Sequence, residues 1–86
     1  MRILVIYNPV AGQHDAVKSL DEALTYLRSL GHDVLLRRTL GGGDATTFAR
    51  EAAAQSFDMV VAAGGDGTVG EVANGLVGSE CILGVL

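Results

Sequence analysis

Apolar and polar residues along this chain follow two alternating periods. Met1 to Tyr7 reads as a strand: its Ile3–Tyr7 stretch is unbroken apolar sequence, too short for a helix and β-branched enough for burial on both faces, and Asn8-Pro9 punctuates it. After a loop through Gly12, Val17, Leu20, Leu24, Leu27 and Leu30 recur at spacings of three and four. That spacing puts them on one helical stripe, with Lys18, Asp21, Glu22 and Arg28 on the water side, and Gly31 closes the helix as a left-handed cap. Val34 to Arg38 predicts a second strand, less apolar and therefore nearer an edge. Gly41-Gly42-Gly43 leads to Asp44, the expected N-cap of a helix through Phe48, Ala49, Ala52 and Ala53. Met59 to Ala63 predicts a third buried strand, Val69, Val72, Ala73 and Leu76 share a face of a short third helix, and Cys81 to Leu86 has the pattern of a fourth buried strand.

Strands alternating with helices imply right-handed crossovers, hence an α/β fold of three α/β/α layers around a parallel sheet. Ligands of such sheets bind beyond the carboxyl ends of the strands, where the loops 8–12, 39–43 and 64–68 all fall. The length of 86 residues sets one domain, 1–86, as the ceiling, and no repeat or linker divides it. The opening looks like a native N-terminus, whereas the last strand pattern stops without turn, cap or tail, so a truncated domain is expected.

Composition narrows the function. Aromatics make up 5% of residues, so aliphatic runs must build the core, and a domain this small buries only about 60% of its unfolded surface. The net charge is −4, and Arg2, Lys18, Arg28, Arg37, Arg38 and Arg50 are scattered, which argues against a nucleic-acid face. A single Cys81 excludes a disulfide framework, a Cys-rich zinc site and a CxxC redox motif, and a reduced, cytoplasmic setting is expected. No apolar stretch reaches the roughly 20 residues of a membrane span.

The candidate chemistry lies in Gly64-Gly65-Asp66-Gly67-Thr68, which leaves a buried strand and opens a helix. Backbone N–H groups there can converge on an anion, aided by the helix dipole; glycine lets a phosphate chain approach the backbone, and Thr68 offers a hydroxyl. Asp66 would repel phosphate unless a cation lies between them, so it implies Mg²⁺ bridging to a nucleotide. A turn made only for packing, with Asp66 as helix N-cap, is the bland alternative. Gly65 to Gly70 also satisfies G-x-G-x-x-G, yet it follows the third strand and lacks the acidic residue expected about 20 positions later. No G-K-[ST] occurs, which excludes the ordinary nucleoside triphosphatase loop.

Other residues carry weaker signals. Glu71 suits a metal, a ligand hydroxyl or simply the dipole of a first helical turn. Asn74-Gly75 looks like a helix C-terminal device, His14 and His32 fall in loops as surface residues, and Cys81 is expected in the core. Arg37-Arg38 reads as a solvated strand end, and Asp21, Glu22 and Glu51 have no partner base for acid–base catalysis.

Gly64 to Thr68, continuing as Val69-Gly70-Glu71-Val72-Ala73-Asn74-Gly75-Leu76, closely resembles the GGDGT-x-N-E-V-x-N-G-L signature of the diacylglycerol kinase catalytic domain family, which includes bacterial lipid kinases and sphingosine kinases. Asn8-Pro9-Val10-Ala11-Gly12 looks like that family's N-P-x-[AS]-G, and Thr39 with Gly43-Asp44-Ala45 is similar to its T…G-D-A segment. The resemblance implies an ATP site: Asn8, Pro9, Val10, Ala11, Gly12 and Thr39 around the nucleotide, Gly64, Gly65, Asp66, Gly67, Thr68, Val69 and Gly70 around the phosphates, and Asp66 near Mg²⁺. It implies transfer of the γ-phosphoryl of ATP to a lipid hydroxyl such as that of diacylglycerol, by a cytoplasmic protein peripheral at the inner membrane face. The lipid pocket and general base are implied in a second, β-rich domain beyond this chain, as is the P-x-G-T segment, so the 86 residues alone are expected to be inactive. Gly70 departs from the family's common Asn. An NAD kinase-like enzyme sharing GGDGT and a non-catalytic nucleotide-binding module remain as alternatives.

Overall fold

The computed structural model describes residues 1–9 and 14–86, with side chains in the first helix from residue 17 onward. The elements run β1 (Arg2–Tyr7), α1 (His14–Ser29), β2 (Asp33–Arg38), α2 (Asp44–Ala54), β3 (Met59–Ala63), α3 (Asp66–Leu76) and β4 (Ile82–Val85). The four strands form one sheet in the order β2-β1-β3-β4, and every pairing is parallel. The α/β architecture expected from the alternating periods is the one observed.

Parallel neighbours need crossovers, and the side on which each helix lands follows from strand order. From β1 the chain steps outward to β2, then returns past β1 to β3 and on to β4, so α1 covers one face and α2 with α3 cover the other. Leu20 and Leu24 of α1 pack against Ile3, Val5, Val34, Val61 and Ala63. Ala45, Ala49 and Ala52 of α2 and Val72 and Leu76 of α3 pack, with Phe57, against Leu4, Ile6, Val60 and Ala62. Alternate residues of β1 and β3 thus enter opposite cores, which accounts for their continuous apolar runs. The direction reversal puts a crevice between the carboxyl ends of β1 and β3, the place where open α/β sheets hold ligands.

Several local expectations are corrected. Asp44 does not cap α2: the N-cap is Gly43, at φ 87°. The Asp44 carboxylate instead accepts the N–H groups of Leu40 (2.8 Å) and Gly41 (3.0 Å), closing the loop before the helix. His14 is the first residue of α1 rather than a loop residue. Val17 and Leu30 are exposed, because one helix over four strands covers only the centre of the sheet and Leu30 lies past the end of α1. Ala73 likewise faces out of α3.

Within these 86 residues β4 lies at the sheet edge, with Ile82, Leu83 and Val85 exposed. An apolar run reports what a strand can bury, not what lies beside it. Gly31, at φ 89°, does close α1: its N–H reaches Arg28 and that of His32 reaches Leu27, pairing two orphan carbonyls.

Candidate functional site

The crevice is built from the last residues of β1 and β3 and the loops that leave them. Asn8 continues β1, its N–H bonded to the Ala63 carbonyl at 3.0 Å, so the two strand ends leave the sheet side by side. Across the gap the Asn8 amide donates from Nδ2 to Thr68 Oγ1 at 3.2 Å. Thr68 is one of two buried polar residues among those described, and it sits tightly against Gly64. A Cβ at Gly64 would meet Thr68 Oγ1 at 2.6 Å and the Asn8 Cβ at 3.2 Å, so glycine is required there for the close approach of three segments. No atom crowds Gly65, Gly67 or Gly70 within 4 Å. Those glycines leave the surface open above the loop.

α3 starts at Asp66 with Gly65 as N-cap and no capping side chain. Asp66 is therefore the first helical residue rather than a cap, and its carboxylate is exposed. The N–H groups of Thr68 and Val69 turn back to the Gly65 carbonyl at 3.0 and 3.2 Å. Those of Asp66 and Gly67, in the first turn, have no intrahelical acceptor and point out of the helix start, where the dipole favours negative charge.

The second loop adds the other wall. Thr39, buried, hangs from the carboxyl end of β2 with its N–H on the Tyr7 carbonyl at 2.9 Å. Glu71 faces it from α3; it lies in the second turn, which removes the first-turn dipole reading. Its Oε1 accepts the Gly43 N–H at 3.0 Å, while its carbonyl accepts the Thr46 hydroxyl at 2.8 Å. Between the walls is a cavity of about 170 Å³ lined by Asn8, Thr39, Leu40, Gly41, Gly42, Ala45, Thr68 and Glu71. On the α1 side of the same strand ends a larger, more apolar cavity of about 290 Å³ is lined by Tyr7, Asn8, Ser19, Leu20, Ala63, Gly64, Gly65 and Leu86.

Of the residues expected in the site, Asn8, Thr39, Gly64, Gly65 and Thr68 come together around these two cavities, and Asp66 and Gly67 sit at the adjoining helix start. Val69 is half-buried against the core, and Gly70 faces solvent. Pro9 follows Asn8; Val10, Ala11 and Gly12 lie outside the described residues. Sequence reasoning left Glu71 between three roles and did not find its bond to Gly43. Residues 28 apart in the chain give no local signal of that contact.

Neither cavity has a Lys or Arg in its described lining, and the one charged side chain there is Glu71. Among the described lining, backbone N–H groups are therefore what could offer positive charge to an anion. No group of three or more His, Cys, Asp or Glu is placed to hold a metal among the described residues. One exposed carboxylate, Asp66, fits a hard cation that keeps most of its waters and takes further oxygens from a bound phosphate, as Mg²⁺ does.

Gly75 is no C-terminal device. It lies inside α3, and a Cβ there would strike the Thr46 carbonyl and approach Ala49 Cβ to 2.8 Å. It brings α2 and α3 together, and with them the two loops that start those helices.

The model of the diacylglycerol kinase catalytic domain matches residues 2–86. A diacylglycerol kinase of Bacillus subtilis (strain 168) is 44% identical over 75 residues, covering 87% of this chain and 25% of that protein. One of Staphylococcus aureus (strain MRSA252) is 40% identical over the same length, covering 87% and 24%. Among solved structures, a candidate diacylglycerol kinase from Bacillus anthracis str. Sterne superposes with a TM-score of 0.81 at 34% identity, covering 98% of this chain and 31% of its own. The chain thus spans about a quarter of the length of the curated relatives it matches. On the match over 85 of 86 residues, 2 to 86, this chain belongs to the diacylglycerol kinase catalytic domain family.

Proposed function

We propose that this chain is the nucleotide-binding part of an ATP-dependent lipid kinase, which transfers the γ-phosphoryl of ATP to a lipid hydroxyl such as that of diacylglycerol. The observation that carries this reading is the junction of Asn8, Gly64 and Thr68 at the ends of β1 and β3, with the open start of α3 beside it. Phosphoryl transfer asks chiefly for positioning and for neutralisation of charge on the moving group. The first-turn N–H groups of α3 bind phosphate oxygens; Gly65 and Gly67 let the phosphate chain lie against the backbone. Asn8 and Thr39 flank the rest of the nucleotide. Asp66 would hold Mg²⁺, which when bound would supply the charge neutralisation that no Lys or Arg of the described lining offers.

The lipid pocket and the general base belong to the remainder of the full-length protein, and the acceptor is met at a membrane surface. No helix of the described residues is long and apolar enough to cross a membrane. Gly70, at the position of the Asn in the family signature that the loop resembles, faces solvent and lines neither cavity.

Calorimetric titration with Mg·ATP tests the site, on the wild type and on Asp66→Ala, each first checked by circular dichroism. The wild type binds, and the variant binds about tenfold or more weaker, about 1.4 kcal/mol. A folded wild type that takes up no Mg·ATP would sink the nucleotide reading. With γ-labelled ATP and the full-length protein, label should appear in diacylglycerol presented in vesicles; label in a soluble dinucleotide instead would move the acceptor to the NAD kinase class.

A further inference from the structure

Thr39 and the loop after it form one wall of the smaller cavity, yet that loop contains three consecutive glycines and little that packs. Gly41, Gly42 and Gly43 are all exposed and carry no side chain to anchor them. Left to itself such a segment pays the largest backbone entropy to hold one shape. Two carboxylates fix it. Asp44 folds the loop back on itself through the Leu40 and Gly41 N–H groups, and Glu71 ties it to α3 through the Gly43 N–H at 3.0 Å.

Gly43 has a left-handed φ of 87° and precedes α2, so its N–H is one that no turn of that helix can satisfy. An ionised acceptor makes the Glu71 bond of the stronger, charge-assisted kind. The Thr46 hydroxyl, on the Glu71 carbonyl at 2.8 Å, is a second clamp on α3, from the first turn of the helix that follows the loop. Because Glu71 lies on the helix that the Gly64–Thr68 loop opens, the Thr39 wall and that loop are held in one register.

We infer that Glu71 is a positioning residue for the nucleotide: its carboxylate acts as an acceptor that holds the loop 40–43 against the start of α3, not as a metal ligand. The inference rests on the nucleotide reading above. It separates shape from charge, because Gln keeps an oxygen acceptor at the same reach while losing the charge, and Ala loses both. Ala is also the strongest helix former, so the α3 backbone does not suffer from that replacement.

The test is made on the full-length protein, with amide exchange resolved at Gly43 in the ligand-free state and Mg·ATP affinity by calorimetry. In Glu71→Ala the Gly43 amide exchanges about tenfold faster or more, the β1 and β3 amides stay protected, and the Kd for Mg·ATP rises roughly tenfold. In Glu71→Gln both quantities change clearly less than in Glu71→Ala, because a neutral, weaker acceptor remains at the same reach. Unchanged Gly43 exchange in Glu71→Ala overturns the inference. So does a Glu71→Gln variant that keeps Gly43 protected yet binds Mg·ATP as weakly as Glu71→Ala, since the charge would then be what matters. A wild type that binds no Mg·ATP, with Gly43 exchange still controlled by Glu71, overturns the nucleotide reading and with it the positioning role, and the exchange data tell that failure from the other two.

Discussion

The face of the sheet under α2 and α3 and the face under α1 are made from the same two central strands but closed in different ways. Under α2 and α3, alanines and Gly75 bring two helices into contact, and a Cβ at Gly75 has no room. Under α1, one helix reaches the sheet through Leu20 and Leu24, and Val17, Leu36 and Ile82 are left exposed around it. The first face gains its closeness from small residues, the second its cover from large ones. Each also shapes one of the two cavities that flank the ends of β1 and β3: the narrow, more polar one beside α2 and α3, the wider, more apolar one beside α1. Rigidity beside the Gly64–Thr68 loop therefore comes from the closed face.

If the α1 face depends on two leucines, deleting one should have the largest effect. Leu24→Ala truncates one of the two buried leucines of α1 among the described residues and should cost about 3 kcal/mol, a large share of what a domain this size has. Urea denaturation followed by circular dichroism measures it. A loss below about 1 kcal/mol would mean that α1 contributes little to holding the sheet together.

The closed face makes a sharper test, because two of the three glycines of α3, Gly70 and Gly75, have opposite surroundings. Gly75→Ala inserts a methyl group against the Thr46 carbonyl and Ala49, and should destabilise by about 2 kcal/mol by forcing α2 and α3 apart. Gly70→Ala meets nothing within 4 Å and should stabilise by up to about 1 kcal/mol, the ordinary helix preference. Equal signs in the two variants would mean that the helices are not in the contact described.

These contrasts also mark where sequence was sufficient. The β1 and β3 runs, the stripe through Leu20 and Leu24, the Gly31 cap and the glycine loop after β3 are encoded within a few residues of each other, and all were legible. Asp44 misled because a carboxylate before a helix serves equally well as a cap and as the closure of a loop, and here the Leu40 and Gly41 N–H groups claim it. Gly75 misled for a related reason: a glycine near a helix end signals either a left-handed cap or a crossing, and only the neighbouring helix decides. That the site loops share the carboxyl end followed from alternation alone. Which two strand ends form the crevice depends on the order β2-β1-β3-β4, a fact of long-range pairing with no local trace. The Glu71 to Gly43 bond and the exposure of β4 belong to the same class.

The rim of the closed face offers the smallest test. Arg37, at the edge strand β2, lies over the Phe48 ring at 3.6 Å from its centroid and reaches Glu51 at 2.6 Å, so a paired cation covers an aromatic that α2 leaves partly open. Both charged groups are nearly half exposed, which limits the ion pair to a few tenths of a kcal/mol, whereas the guanidinium on the ring adds about 0.5 to 1 kcal/mol. Arg37→Ala should then cost roughly 1 kcal/mol and Glu51→Gln clearly less. The Arg37→Ala loss should persist in high salt, because stacking and covered ring area are not screened as an exposed ion pair is. Losses that were equal in the two variants and vanished in salt would make this corner an ordinary surface ion pair. The closed face would then end at Phe48 rather than at β2.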